Sequence, residues 1–445
     1  MLALSVSTLI SPWVAFTATE RHNTAVAKEV IPDRTPEILS LEEARKIAFL
    51  RNWDLIAAQA NVDQAVAQKL VSKEFPNPTF SWSTQKINVG GGNTSSGTAG
   101  NSIFDRDYDT IVAINQLYEI GGKRTARQKS AQAGIESAEA SFRDARRTLD
   151  LGVDKAYIAA LLAAENVKIL SQSAASLRRE ADIATARLKA GDISESDRGQ
   201  IEIAADQLEL NAEAAKNTAI SSRIALEVLL GVKHPTGTWQ ASESLASLAG
   251  LPLDLHSGNP NQRPDVQSAE ASLRKAGADL NLQKAMRIPD PTFLIQYEHN
   301  PPDQPTTVGI GVSFPLPLWN WNTGNIKTAE AARAQAAAQV GKVRTQVVAD
   351  IATAEAAWDE AQRRWRRYES DVRPRSAKAV ESVEYSYKKG GAALVDLLQA
   401  ERSDNDVRVA TAQAMADSAT AAVSLVLARN STLDSAMKSA RKTRN

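Results

Sequence analysis

The chain contains no cysteine among its 445 residues, which excludes disulfides, thiol nucleophiles, zinc–thiolate centres and an N-terminal lipidated cysteine within this sequence. Aromatic residues make up only 5% of it, too few for a conventional mixed core of this size. Charge of one sign is not in excess: Lys+Arg and Asp+Glu number 52 each, so no net field points to nucleic acid. There are four histidines (His22, His234, His256, His299), and their spacing matches no ligand motif. Beyond residue 18 no apolar run reaches the roughly 20 residues that a membrane-spanning helix requires. Nor is there a nucleophile–base pairing that would point to an enzyme. No catalytic residue, metal ligand or cofactor site is therefore expected.

What the chain has in abundance is alanine and repetition. The first 18 residues are apolar, and Ala25-Val26-Ala27 beyond them has the small-x-small form of a processing site, so residues 1–27 read as a signal peptide. From Leu39 to Ser72 the pattern is helical, opened by a Ser40/Glu43 capping box. Pro76 and Pro78 end it, and alternating stretches at 79–84 and 110–116 read as strands on either side of a Gly/Asn/Ser/Thr-rich loop at 88–102. A long helix is expected over 124–190. Its apolar seam falls at 135, 138, 142, 145, 149, 153, 156, 160, 163, 167, 170, 174, 177, 181, 184 and 188, a heptad pattern with one stutter. At ~1.5 Å per residue such a helix is on the order of 100 Å long. Gly191 then turns the chain into a return helix at 192–230, followed by an irregular segment to Gly258.

The order then repeats. A helix at 264–287 opens with Pro264 and Asp265 in its first turn. Pro289-Asp290-Pro291-Thr292-Phe293 echoes Pro76-Asn77-Pro78-Thr79-Phe80, and two strands fall within 292–314 around a loop at 300–305. The second long helix, 324–389, has a seam at 340, 343, 347, 351, 354, 358, 361, 365, 368 and 372, each position 198 residues after its counterpart. Pro374 is expected to kink or break it near Arg373, because proline lacks an amide donor and clashes with the preceding turn. Beyond that point the offset is 199: Gly191 matches Gly390, Asp197 matches Asp396 and Gln200 matches Gln399. A return helix at 391–429 and a frayed basic tail complete the chain. The two repeats are 28–258 and 259–445.

The fold class expected is mainly α with a small β part. Duplicated long α-hairpins are too polar for lipid and must extend into water. Four short strands, each with one apolar face, suit a membrane β-barrel but are too few to close one, so several copies are required. The competing layout is a water-soluble coiled-coil scaffold with a small hairpin domain. Arg363-Arg364-Trp365-Arg366-Arg367 is basic, but Trp365 lies on the seam, which makes the arginines a solvated face around a core tryptophan. Gly121-Gly122-Lys123-Arg124 lacks the spacing of a phosphate loop and reads as a strand-to-helix bend.

Taken together, Phe75-Pro76-Asn77-Pro78-Thr79-Phe80, Arg263-Pro264-Asp265-Val266-Gln267-Ser268-Ala269-Glu270 and both Gly…Asp tips resemble the TolC family of outer-membrane efflux channels over the chain after about Leu39. Leu117-Tyr118-Glu119-Ile120-Gly121-Gly122-Lys123-Arg124 and Leu316-Pro317-Leu318-Trp319-Asn320 resemble the cobalt–zinc–cadmium resistance branch. The resemblance implies a homotrimer in the outer membrane with a long periplasmic α-barrel and a twelve-stranded β-barrel. It also implies a periplasmic adaptor and an inner-membrane pump of the resistance–nodulation–division class as partners. Within it, Asp396 lies at the periplasmic entrance of the pore with Gln399, Asp197, Gln200 and Tyr387 nearby. The family has a second acid where this chain has Gln399. Asp396 either contributes to an acidic ring or simply begins a helix, and Tyr387 either crosses the entrance or packs between helices. Gly191, Asp192, Gly390 and Gly391 form the hairpin tips where the adaptor would dock. Drugs, other organic solutes or polypeptides are the alternative cargo to divalent metals.

Overall fold

The computed structural model describes residues 34–85, 109–250, 258–300 and 304–431. The expected signal peptide, the Gly-rich loop at 88–102 and the basic tail lie outside these residues. In order, the elements are β1 (Ile38–Leu39), α1 (Leu41–Arg51), α2 (Trp53–Lys73), β2 (Thr79–Gln85), β3 (Asp109–Leu117), α3 (Lys123–Ala190), α4 (Glu195–Leu229), β4 (Gln240–Ala241) and α5 (Leu245–Ala249). The second half comprises α6 (Pro264–Ala285), β5 (Thr292–Asn300), β6 (Gln304–Ser313), α7 (Thr323–Arg367), α8 (Arg373–Lys388) and α9 (Leu394–Ala428).

The long helices follow their seams. Every seam position of α3 from 135 to 188 is buried or half-buried, and so is every one from 340 to 372 in the second hairpin. Alanine at half of the α3 positions allows close helix approach there, whereas the second seam carries larger side chains, and the helices pack as α3 with α4 and α7 with α9. Two features depart from the sequence reading. The first helical stretch is divided at Asn52, whose extended backbone ends α1 while its side chain caps α2 by accepting from Leu55 N at 3.0 Å. Asn52 Nδ2 also donates to Leu229 O at 3.0 Å, tying this joint to the end of α4. The second lies where a kink or break was expected near Arg373. The chain stays helical through a five-residue π turn, Tyr368–Val372, in which Arg373 N–H donates to Tyr368 O five residues back. The wider turn accommodates the proline by relieving its ring of the tight carbonyl contact an α-turn would impose.

The main core sits where both hairpins meet the irregular segment. Leu39, Tyr157, Ile158, Leu226, Leu230, Trp239, Ala419 and Val423 are buried there together, with Trp365 packed against them. Tyr157 and Trp239 stack with ring centroids 5.8 Å apart. The Tyr157 hydroxyl donates to Leu39 O at 2.8 Å and also bonds Glu243; burial, then Glu243, pushes its acidity well below that of a free phenol. A two-strand parallel pair, β1 with β4, closes this region. Glu227, buried here, accepts from Thr35 Oγ1 (3.0 Å) and from the backbone N–H groups of Thr236 (2.6 Å) and Gly237 (2.8 Å).

The four longer strands form one antiparallel sheet in the order β2-β3-β5-β6. Its register places Phe80, Ile114, Ile295 and Ile310 in one cross-strand row and Trp82, Val112, Tyr297 and Val308 in the next. These rows form one apolar face, and Ile310 is 87% exposed. The opposite face carries Ser81, Ala113, Gln296 and Gly309 in register. β2 and β6 are edge strands within the chain.

At the base of the sheet, Gly121 and Gly122 adopt left-handed backbone angles and bend β3 into α3. Lys123 is buried at this bend, with Nζ 2.7 Å from Asp290 Oδ1 and donating to Ile288 O at 2.5 Å. Asp290 Oδ1 also accepts from Ile120 N at 2.9 Å. This ion pair links the β3–α3 bend of the first repeat to the α6–β5 corner of the second.

Candidate functional site

The end of the molecule farthest from the sheet along the hairpins is where all the sequence-selected residues lie. Both tips use the same bonds. In the first, Gly191 (φ 83) ends α3, with Gly191 N donating to Leu188 O (3.0 Å) and Asp192 N to Arg187 O (2.9 Å). In the second, Gly390 (φ 77) donates to Tyr387 O (3.0 Å), and Gly391 N to Ser386 O (2.8 Å). These are Schellman-type ends, in which a left-handed glycine lets the last carbonyls find donors. A Cβ on Gly191 or Gly390 would meet nothing within 4 Å, so backbone conformation, rather than crowding, selects glycine at both tips.

The two aspartates occupy equivalent places. Asp197 is the third residue of α4: its backbone N donates to Ser194 Oγ at 3.0 Å, and its Oδ2 accepts from Ser194 N at 3.4 Å. Asp396 is the third residue of α9, with Oδ2 accepting from Ala393 N at 3.1 Å. Ala393 offers no side-chain oxygen, so the second cap is half of the first. Each carboxylate thus stabilises a helix start through one oxygen. Asp396 is exposed, and Gln399 and Gln200, one turn further on, are exposed as well. Gly191, Asp192, Gly390 and Gly391 are all exposed.

Tyr387 packs between the hairpins of a single chain. Its ring lies against a small core of Leu177, Ala181, Ala184, Ile201, Ala204, Ala205 and Leu394, and the Arg187 guanidinium carbon stands 5.7 Å from the ring centroid. Charged groups around this core escaped the sequence reading. Arg178 bridges α3 to α4 through Asp206 (2.6 Å) and Glu209 (2.6 Å), bonds that hold the guanidinium firmly protonated. Half-buried Glu401 on α9 has its carboxyl raised above the usual range by burial, then by Glu384, Asp404 and Glu180, against an opposing effect of Arg408. A carboxyl whose folded value is raised opposes folding when ionised, so the tip gains stability as pH falls through that folded value toward the ordinary carboxyl range. Only the surrounding helices bring these acids together; the i,i+3 spacing of Glu401 and Asp404 was visible in the sequence, but the approach of Glu180 was not.

Among the described residues no three His, Cys, Asp or Glu side chains are grouped as a metal site. No described helix is long and apolar enough to cross a membrane. Of the basic cluster, Trp365 packs against the main core and Arg364 pairs with Asp417 at 2.5 Å.

Comparison with known proteins places these features in context. A family model described as "Outer membrane efflux protein" matches residues 45–232 and 260–431. The chain is 26% identical over 304 residues to the cobalt-zinc-cadmium resistance protein CzcC of Cupriavidus metallidurans, covering 67% of this chain and 68% of that protein. It is 25% identical over 437 residues to the pyoverdine export outer membrane protein OpmQ of Pseudomonas putida, covering 91% and 89%. The solved structure of the outer membrane protein VceC from Vibrio cholerae superposes with a TM-score of 0.69 at 18% identity, covering 88% of this chain and 96% of that one.

Proposed function

The chain belongs to the outer membrane efflux protein family, and from that premise we propose that it is the exit duct of a tripartite system expelling divalent heavy-metal cations. It is an outer-membrane channel subunit of the TolC type and not an enzyme. The observation that carries the duct reading is the sheet. Four strands with an apolar face and a small, polar face end in two edge strands, and lipid tolerates no unpaired edge. Joining β6 of one copy to β2 of the next closes the ring, and three copies, the number the family resemblance implies, supply twelve strands. The apolar rows then face lipid, and Ser81, Ala113, Gln296 and Gly309 face water. This requirement sets aside the soluble coiled-coil scaffold.

Three copies would bring the tips together around one axis. Asp396, exposed at the start of α9, would then contribute one carboxylate per chain to a ring favouring cations. Gln399 supplies no second ring. Asp192, Gly191, Gly390 and Gly391 form the exposed ends an adaptor would grip, and the energy would come from a partner pump. The duct needs no chelating site, since tight binding would slow passage. Asp396→Ala is expected to lower cation-over-anion selectivity in planar bilayers by roughly two- to tenfold; unchanged selectivity and conductance would remove Asp396 from the pore entrance.

The metal cargo is supported by the likeness to CzcC, a protein named for cobalt, zinc and cadmium resistance. The longer coverage by OpmQ, named for pyoverdine export, favours a second reading in which the cargo is an organic solute. Deleting the gene and titrating growth against zinc, cadmium, cobalt, nickel, copper and a drug panel separates the two. Sensitivity confined to divalent metals is expected; sensitivity to organic compounds alone would transfer the assignment to the second reading.

A further inference from the structure

One position near the start of α7 breaks the pattern of its helix. Extending the seam back from Val340 by one heptad gives Arg333, and by two gives Ile326. Ile326 and Val340 are buried, but Arg333 between them is exposed. The first repeat has Ile135 at the equivalent place, 198 residues earlier, and Ile135 is buried. A cleft of about 540 Å³ opens across α6, from α3 on one side to Arg333 on the other. Gly277 lines it, and a Cβ there would meet nothing within 4 Å. The buried alanines Ala133 and Ala278 complete its floor.

The cleft is cationic. Lys129 of α3, Arg274 and Lys284 of α6 and Arg333 border it, and its single acid, Glu136, accepts from Arg274 Nη2 at 2.6 Å. Lys129, Lys284 and Arg333 have no ion-pair partner among the described residues. Like charges around one depression repel one another unless an anion sits among them. Their height along the molecule is set by the helices. Lys284 is the penultimate residue of α6, and at ~1.5 Å per residue Lys129 lies about 9 Å and Arg333 about 15 Å from the starts of α3 and α7 beneath the sheet. A headgroup layer extends roughly 5–8 Å beyond the hydrocarbon, and long Lys and Arg side chains reach further along a surface.

An apolar surface adjoins the cleft. The apolar alternation of β6, through Val308, Ile310 and Val312, continues past the strand at Phe314, Leu316 and Leu318, all exposed, and Trp319 is 93% exposed. Asn322 closes this loop against α6, its Nδ2 donating to the carbonyl of Gln283, the neighbour of Lys284, at 2.8 Å. Aromatic and aliphatic side chains at the rim of a membrane sheet lie among headgroups and upper acyl chains. Fixed positive charge and exposed apolar surface therefore meet at one corner.

We infer that the cleft between α3, α6 and α7 binds the headgroup of an anionic phospholipid, with Lys129, Lys284 and Arg333 on its phosphate and Leu316, Leu318 and Trp319 beside its acyl chains. The inference rests on the channel reading, in which the apolar face of the sheet meets lipid. Charge at Arg333 in place of a buried isoleucine is then explained by its ligand, since a seam residue that forgoes burial gains a charge-assisted bond instead.

Native mass spectrometry of the detergent-solubilised protein, incubated with equal amounts of phosphatidylglycerol and phosphatidylcholine, tests this. The wild-type protein is expected to retain phosphatidylglycerol over phosphatidylcholine by at least about fivefold. Lys129→Gln with Lys284→Gln and Arg333→Gln is expected to bring that ratio to about one, and Arg333→Ile, which copies the first repeat, to lower it about two- to fivefold. Arg363→Gln with Arg366→Gln and Arg367→Gln removes the same charge from exposed positions near the other end of α7, and is expected to leave the ratio within about twofold. A wild-type protein without preference, or equal losses from the two triple variants, overturns the site. Displacement of the lipid by excess inorganic phosphate overturns it in favour of a free-anion site. A first triple variant that keeps the lipid but changes ion selectivity in planar bilayers places the cleft on the pore wall and also overturns it. Conductance of the wild-type preparation keeps the two readings apart: a conducting protein with no lipid preference overturns the lipid site alone, and a protein that forms no pore overturns the channel.

Discussion

Gly231→Ala is expected to prevent recovery of a stably folded protein, whereas Gly191→Ala is tolerated. Both glycines have left-handed backbones, φ 71 and 83, and alanine there costs roughly 1–2 kcal/mol from backbone conformation alone. Their surroundings differ. A Cβ on Gly191 meets nothing within 4 Å, but one on Gly231 falls 2.3 Å from Arg51 O and 2.7 Å from Arg51 C. Those are backbone atoms at the end of α1, held in place because Asn52 bonds Leu229 O from one side and caps α2 from the other. Relief requires moving α1 away from α4, which opens the core around Leu226 and Leu230. Thermal unfolding of the detergent-solubilised protein, followed by circular dichroism, compares the two. Equal losses at the two positions would show that the close approach at Gly231 carries no cost.

Asp154→Ala is expected to remove about 3–5 kcal/mol, the usual consequence of breaking a buried ion pair by deleting one partner. Asp154 is almost wholly buried in α3 and receives a bidentate bond from Arg45 of α1, with Nε and Nη2 each 2.6 Å from a carboxylate oxygen. Asp150, one turn earlier, has its carboxyl raised by burial, with Arg45 and Arg146 opposing and Asp154 adding to the rise. The site therefore holds two acids beside a guanidinium in a poorly solvated place. Removing Asp154 strips Arg45 of its bidentate partner without removing the cost of burying the charge. The pair itself is less valuable than that loss implies. Arg45→Met with Asp154→Leu is expected to regain most of the stability. Denaturant titration of both variants checks this, and a double variant no better than Asp154→Ala would show that the pair contributes net stability of its own.

Much of the tip was legible because its signals are local. A left-handed glycine, a capping acid three residues into a helix and a seam of alternating threes and fours each act within one or two helical turns. The repeat supplied a second copy of each signal, so the equivalence of Asp197 and Asp396 required no structure. The roles of those aspartates were less legible. Ser194 and Ala393 differ in whether they can complete a cap, and only the bonds show that both carboxylates also serve their helices. Tyr387 could not be placed from sequence, because its neighbours come from α3, α4 and α9.

The amino-acid sequence by itself determined the long helices, the strand alternation and the glycine tips, since periodicity decides which face of an element must leave water. It also carried the one-residue change of offset, and Pro374 marked the place of the π turn as a kink or break without showing the form it takes. Only the tertiary structure decided the features that depend on residues far apart in the chain. These are the β1–β4 pair, the Lys123–Asp290 link between repeats, the hydrogen bonds gathered by Glu227, and the crowding that makes Gly231 irreplaceable while Gly191 is not. Each is set by which backbone atoms approach one another once the hairpins have packed, and no local pattern in a sequence records that distance.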